Sequence, residues 1–497
     1  MSDLYFLSTR SNNEKILASQ AMVRGIAGDG GLYVPELLPK IDRPMPCLEG
    51  MDYKTLAFYV MEKFLTDFKE PVLRECIARA YDDKFDNPAI APLTEKGGLY
   101  FLELYHGPTL AFKDMALSIL PHLLKEAAKK LNINKEIVIL TATSGDTGKA
   151  ALEGFANIEG IKVIVFYPKK GVSRIQERQM TTQKGSNTYV VAIDGSFDDA
   201  QKGVKAIFND KSFNEILNVN NCMLSSANSI NIGRLIPQIV YYVHSYLNLI
   251  KFDKISKNEK INVVVPTGNF GDILAGYYAK KMGVPINKLI CASNENNVLY
   301  DFINTGVYNR KRELKATLSP SMDILVSSNL ERLLYELCSH DVSVINSMVG
   351  SLNKKGEFTI TRDMKEKLLE DFYGEFATDD QTLKTIKDIY DKYGYLIDTH
   401  TAVACSVYKK YVEDTKDNLK TVIISTASPF KFPNSVMKAI NKKFTSYDDF
   451  DLLDKVAELS NCDIPKSLKD ISKRRILHRM VCKKENMGST IFKILKI

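Results

Sequence analysis

The sequence predicts an α/β protein built on parallel sheets and preceded by a mostly helical N-terminal module. Three observations carry this. From about residue 98, short apolar strands alternate with helical patterns. The first hundred residues lack that alternation. The 45% hydrophobic and 26% charged composition is that of an ordinary globular chain. At roughly 100–200 residues per domain, 497 residues make two to four domains, or one large core with an appended segment.

Gly25 to Pro35 is a glycine-rich loop running into a short extended segment. Leu56–Phe68 and Val72–Tyr81 carry helical apolar spacing. The core then reads as a strand Leu99–Leu104, a helix Leu110–Leu131, a buried strand Ile137–Thr141 and a helix Gly148–Asn157. A strand Lys162–Tyr167, a helix Ile175–Lys184, a strand Tyr189–Ile193 and a helix Phe197–Asn209 follow. Ile230–Ile250 reads as an amphipathic helix. Then come a strand Ile261–Val265, a helix Asp272–Met282 closed by Gly283, a strand Lys288–Ala292 and a last strand Thr421–Ser425. Between about 305 and 395 the chain is more polar, with exposed helices expected at Lys365–Tyr373 and Thr382–Lys392. Strands of this kind imply parallel sheets covered on both faces, with ligands at the loops beyond their carboxyl ends.

The charge balance, 67 basic against 60 acidic residues, leaves a mild surplus of +7. No concentrated stripe marks a nucleic-acid binder. The basic stretch Lys466–Lys496 interleaves cations with Ile and Leu, and reads as a solvated amphipathic helix or tail. The eight cysteines are dispersed, without C-x-x-C or zinc spacing, so no metal site and no disulfide framework is expected. The opening residues lack the pattern of a secretory leader, and Ile230–Ile250 contains Arg234, Gln238 and His244, so no membrane span is expected. These features suggest a cytoplasmic protein.

Four segments carry candidate chemistry. In His106-Gly-Pro-Thr-Leu-Ala-Phe-Lys113-Asp114, a lysine among apolar residues is either buried and activated as a nucleophile, or a surface lysine beside Asp114. Thr141-Ala-Thr-Ser-Gly-Asp-Thr-Gly-Lys149 follows a buried strand and opens a helix. It is either an anion site at a helix N-terminus or a capped tight turn. Pro266-Thr-Gly-Asn-Phe-Gly-Asp272 has the same setting and the same two readings. Ser425-Thr-Ala-Ser-Pro-Phe-Lys431 puts hydroxyls at the rim of the sheet, or is simply a turn. Together, two anion sites, one activated lysine and terminal hydroxyls suit a phosphorylated carbonyl cofactor held covalently.

The order H-G-P-T-x-A-F-K-D, S-G-D-T-G, P-T-G-N-F-G-D and S-T-A-S-P-x-K-F resembles the threonine synthase family. Ser8-Thr-Arg10, the Gly25–Pro35 loop and Asp398-Thr-His-Thr-Ala402 add to the resemblance, which runs from about residue 4 to 440. It implies a two-lobed pyridoxal-phosphate fold of the tryptophan-synthase-β type. Its divisions would be a helical N-terminal domain at 1–97, a catalytic core at 98–440 with an insertion near 305–395, and an extension at 441–497. It implies conversion of O-phospho-L-homoserine and water to L-threonine and phosphate. Lys113 would carry the pyridoxal phosphate as an imine. Gly268, Asn269, Phe270, Gly271 and Asp272 would hold its phosphate, mainly through backbone amides, with the Asp272 carboxylate turned away or capping the helix. Thr426 would bond the pyridine nitrogen. Asp146, with Ser144, Gly145, Thr147 and Gly148, would line the cofactor 3′-oxygen and the substrate carboxylate. Lys149 and Arg234 are the candidate clamps for the substrate phosphate, although each also fits an ordinary surface or intrahelical ion-pair role. His106 is a candidate for orienting the substrate or for a capping or core position, and His400 is in the same position. A phospholyase or dehydratase releasing 2-oxobutyrate needs nearly the same residues. A non-catalytic relative would have been expected to lose at least one of them. The resemblance implies a small-molecule substrate, no nucleic-acid or membrane partner, and a monomer or homodimer.

Overall fold

In the computed structural model, which describes residues 3–169 and 172–497, the alternating segments build two separate sheets. One runs, in spatial order, Phe372–Phe376, Ile286–Ser293, Ile261–Pro266, Thr421–Ser425, Leu99–Glu103 and Leu93–Lys96. All its pairings are parallel except the last, a hairpin turned by Gly97 and Gly98 at φ 59° and 83°. The other runs Met480–Lys483, Thr188–Asp194, Ile161–Pro168, Glu136–Ala142 and Cys222–Ser225, all parallel. The inner strands are continuous apolar runs such as Val263–Val265, buried on both faces as parallel strands under helices must be.

The N-terminal helix Glu70–Ala80 falls close to where the apolar spacing puts it, but the one expected over 56–68 is Tyr53–Met61, and 62–68 are turns. The glycine-rich loop leads into Tyr33–Pro35, paired antiparallel with Phe6–Ser8. This module is pinned to the core by polar bonds. Asn231 Nδ2 donates to Met22 O (2.9 Å), and Ser225 Oγ donates to Val23 O (2.9 Å). The fully buried Arg332 donates through Nε to Tyr33 O (2.9 Å) and through Nη2 to Ile230 O (2.6 Å).

Four further expectations change. The segment 110–131 is not one helix. Asp114–Leu117 is a separate short helix, and Leu120–Lys130 restarts around Pro121, which cannot supply an interior amide. Helix Ile232–Lys251 is buried almost all round, with Arg234, Gln238 and His244 all inside, so it is a central core helix and not an amphipathic one. In the 305–395 region, helix Arg362–Asp371 stops at Phe372 and the chain becomes the edge strand Phe372–Phe376. The basic C-terminal stretch holds the expected amphipathic helix, Met487–Leu495, which buries Met487, Ile491, Ile494 and Leu495, but it is not a free tail. Met480–Lys483 adds a strand beside Thr188–Asp194, and the ring of Phe492 stacks on Phe213 at 4.4 Å. Sequence periodicity cannot show the last three, because each depends on what the segment packs against, whereas Pro121 marks the first break in the sequence itself.

Helix Asp146–Phe155 and the short helix after Lys113 touch almost backbone to backbone. A Cβ built on Gly154 lies 2.0 Å from Leu117 O, so only glycine fits. Gly154→Ala is expected to destabilise the fold by about 2–3 kcal/mol, as overpacking against backbone does. Urea denaturation of the two chains checks this, and an unchanged midpoint would mean that the two helices are not locked together.

Candidate active site

Four candidate segments, together with the loop before Arg234, follow the carboxyl ends of parallel strands, so the two sheets aim them at one region. The Lys113 loop is latched to the segment after Thr421–Ser425. Phe112 N donates to Thr426 O (2.8 Å), Ser428 N donates to Leu110 O (3.1 Å), and Ala111 bridges Ala427. Asp114 accepts from Thr109 N (2.7 Å) and Thr109 Oγ1 (2.6 Å), closing the turn in which Leu110 takes φ 62°. Burial pushes the Asp114 carboxyl up to about 6, although the Thr109 bonds oppose it.

Lys113 is buried, so of its two sequence readings the surface one fails. Its Nζ lies 3.3 Å from Asp146 Oδ2 and 4.7 Å from the centre of the Phe112 ring. Burial lowers its pKa. Asp146 opposes the shift, while Lys431 and Arg234 add to it. Asp146 also accepts from Gln176 Nε2 (2.8 Å), Lys431 Nζ (2.8 Å) and Ser321 Oγ (3.1 Å). Burial alone would favour its neutral form, but the charges of Lys431 and Lys113 hold its carboxyl well below the usual range.

Both glycine-rich loops present free donors. In the first, Thr143 Oγ1 accepts from Gly145 N and Gly148 N, each at 2.9 Å, which fixes the loop. Among the described residues, no protein group accepts from the amides of Ser144, Asp146 or Thr147. In the second, the carbonyls face outward: Gly268 O accepts from Ser327 Oγ (2.8 Å) and Asn269 O from Asn329 Nδ2 (3.1 Å). Phe270 sits at φ 63° as the residue before helix Gly271–Met282. Among the described residues, the amides of Gly268, Asn269, Phe270, Gly271 and Asp272 have no protein acceptor. A helix N-terminus with several open amides favours an anion. The two loops are joined through one side chain and its neighbour: Ser321 bonds Asp146, and its carbonyl would lie 2.9 Å from a Cβ on Gly268.

Asp272 turns its carboxylate away from the cradle, to Tyr241 OH (2.6 Å) and Tyr242 OH (2.7 Å). Burial pushes it up to about 6, and the two tyrosine bonds limit the rise. Arg234 is buried without a carboxylate partner. Its Nη1 donates to Ala227 O (2.8 Å), its Nε finds no partner, and burial lowers its pKa to about 10. Thr426 is buried beside Ser425, whose Oγ lies 3.0 Å from Thr401 Oγ1. His400, on the same Asp398–Thr401 turn, bonds Asp398 through Nδ1 (2.7 Å).

Two candidates are not brought to this cluster. Lys149 Nζ bonds Glu153 Oε2 (2.6 Å) and also Gln183 Oε1, so its charge is answered one turn along its own helix. His106 has both ring nitrogens committed, Nδ1 to Asp86 (2.5 Å) and Nε2 to Glu103 (2.9 Å). It pins the loop and leaves no nitrogen for a substrate. Three residues that touch Asp146 were not singled out from the sequence. Lys431 lies between Phe430 and Phe432, the same apolar setting that marks Lys113, and was legible on that ground. Gln176 and Ser321 carry no such signal.

Most of the chain matches known proteins. Residues 5–81 match the model described as "Threonine synthase N terminus", 87–427 the model "Pyridoxal-phosphate dependent enzyme", and 401–479 the model "Threonine synthase, C-terminal". The chain is 38% identical to threonine synthase of Saccharomyces cerevisiae, over 89% of this chain and 90% of that one. It is 40% identical to human threonine synthase-like 1 over 88% of this chain, but spans only 61% of that relative's length. The crystal structure of the yeast threonine synthase superposes with TM-score 0.88 at 34% identity, and the PLP-bound enzyme of Brucella melitensis with 0.87 at 33%, each over 99% of both chains.

His106 gives the fold a pH signature. Burial alone would lower its pKa, but Asp86 and Glu103 outweigh it and push it up to about 9 from an ordinary 6.5. A raised folded-state value stabilises fully below about pH 6.5 and is lost as pH climbs through about 9. Relative to His106→Gln, the parent chain is expected to lose on the order of 2 kcal/mol between those limits. Urea titrations across that window check this, and parallel profiles would refute it.

Proposed function

The chain belongs to the threonine synthase family of pyridoxal-phosphate-dependent enzymes, and on that premise we propose that it converts O-phospho-L-homoserine and water to L-threonine and phosphate. The observation that carries the reading is the buried, weakly paired Lys113 amine beside two loops of open amides and an unpaired buried arginine.

The residues fit the cofactor. The amides of 268–272 form a cradle beside Ser321, and Asp272 Oδ1 accepts from the two tyrosines while its Oδ2 has no protein partner among the described residues. These amides would hold the phosphate group, Lys113 would bind the aldehyde carbon, and Thr426 would face the ring nitrogen. When bound, pyridoxal phosphate supplies an electron sink for negative charge developing on the substrate carbons.

The chain's own groups do the rest. A neutral Lys113 amine takes and returns protons at Cα, Cβ and Cγ of the substrate, and its burial favours that neutral form. The amides of Ser144 to Thr147 bind the substrate carboxylate at the N-terminus of helix Asp146–Phe155. Arg234, with Nε unpartnered, binds the substrate phosphate and stabilises it as it leaves from Cγ. Burial of Lys113, Asp146 and Arg234 shields these groups from bulk water. We further read the chain as a monomer or homodimer of the cytoplasm. Eight cysteines without a disulfide support a reducing compartment. Among the described residues, no helix is long and apolar enough to cross a membrane.

Three experiments test the reading. Lys113→Ala is expected to abolish both the visible imine absorbance and turnover. Retained absorbance would sink the assignment. Incubation with O-phospho-L-homoserine is expected to yield threonine and phosphate. Release of 2-oxobutyrate and ammonia would reassign the chain as a phospholyase. Arg234→Met is expected to raise KM for the phosphorylated substrate by about 10- to 100-fold, the value of one or two charge-assisted hydrogen bonds.

A further inference from the structure

Lys431 has no solvent exposure, yet its ammonium is fully answered. Its Nζ lies 2.8 Å from Asp146 Oδ1, 2.9 Å from Thr109 O and 3.4 Å from Gln179 Oε1. Lys113 approaches the same carboxylate from the other oxygen, at a looser 3.3 Å, and shares that oxygen with Ser321. One ionised carboxylate therefore serves two buried amines, one held by three acceptors and the other by a single long contact. The remaining charges facing Lys113 are Arg234 from helix Ile232–Lys251 and Asp272 from helix Gly271–Met282, the latter committed to tyrosines.

We propose that Lys431 is a positioning residue: by saturating Asp146 from the side away from Lys113, it stops that carboxylate from trapping the Lys113 amine as an ion pair. Three acceptors hold the Lys431 side chain in position. Lys113, with the weaker set, is the amine that gives its proton up and becomes free to attack a carbonyl carbon. Lys431 also holds Thr109 O, so the same ammonium fixes the loop from which Lys113 projects. Without it, Asp146 would have Lys113 as its only cationic partner, and the attraction between them would strengthen in the low-dielectric interior. Burial and the neighbouring Lys431 charge both lower the proton affinity of Lys113, while Asp146 raises it.

This inference rests on Lys113 being the cofactor lysine, and one experiment separates the two claims. The full chain is mixed with pyridoxal phosphate across a range of pH and quenched with borohydride, and modification at Lys113 is read by peptide mass. The unaltered chain is expected to trap the cofactor at Lys113, with a pH midpoint for the trapping rate. No trapping there would overturn the functional reading itself. In Lys431→Met the midpoint is expected to rise by about one pH unit, and in Lys431→Arg to return to the parent value. Lys431→Gln keeps a donor for Thr109 and Asp146 but carries no charge. It is expected to show the same rise, and decides the matter where the methionine variant does not fold. A purely structural role would lower the thermal midpoint and leave the pH midpoint unmoved, and that result would overturn the proposal.

Discussion

The buried carboxylate of Asp146 is the interaction on which the site depends. It begins helix Asp146–Phe155 of the five-stranded lobe, and Gln176 reaches it from the same lobe. Lys431 comes from the turn after the last strand of the six-stranded sheet, and Ser321 from the polar region inserted after that sheet's Ile286–Ser293 strand. Lys113 lies on the segment that joins the sheets in sequence. A charge this deep is costly unless every lone pair is answered, and here two ammonium groups, an amide and a hydroxyl answer it. Moving either lobe would unpair several of these at once. The ion cluster therefore fixes the relative position of the lobes as well as that of the reactive amine.

The second constraint is geometric. Parallel strands put all their following loops on one edge, and two such edges facing each other bring segments from residues 104 to 431 into one cleft. The loops are held by their own side chains and not by the groups they would bind. Thr143 ties the first, Ser327 and Asn329 turn the carbonyls of the second outward, and the Asp114 carboxylate closes the Lys113 turn. Among the described residues, the amides left over have no protein acceptor and are open to an anion. Arg332, a buried cation bonded to Tyr33 O and Ile230 O, extends this to the N-terminal module and the loop before Arg234.

Most inner strands were legible, since apolar runs bounded by turns need only local pattern to be read. Thr421–Ser425 falls where the sequence puts it, and Ile261–Pro266 differs by one residue. Edge strands were not. Phe372–Phe376 and Met480–Lys483 are short and mixed, and become strands only because a neighbour offers a free edge. The helix Ile232–Lys251 looked amphipathic because its polar residues were counted as solvent-facing. In the fold, Arg234 faces the site region and His244 is buried with Asn248 on its ring.

The sequence by itself determined which segments carry chemistry, because each is a local backbone device: glycines before a helix start, a hydroxyl two or more residues before an amide, a lysine among apolar neighbours. It also contained the i,i+4 pairing of Lys149 with Glu153, which withdraws Lys149 from the cluster. Only the tertiary structure decided which side chains meet across long separations. Lys431 and Asp146 lie far apart in sequence, and so do Ser321 and Asp146. Such contacts depend on how two sheets face each other, a relation that no local pattern encodes. That is why Lys431, and not Lys149, is the second lysine beside Lys113.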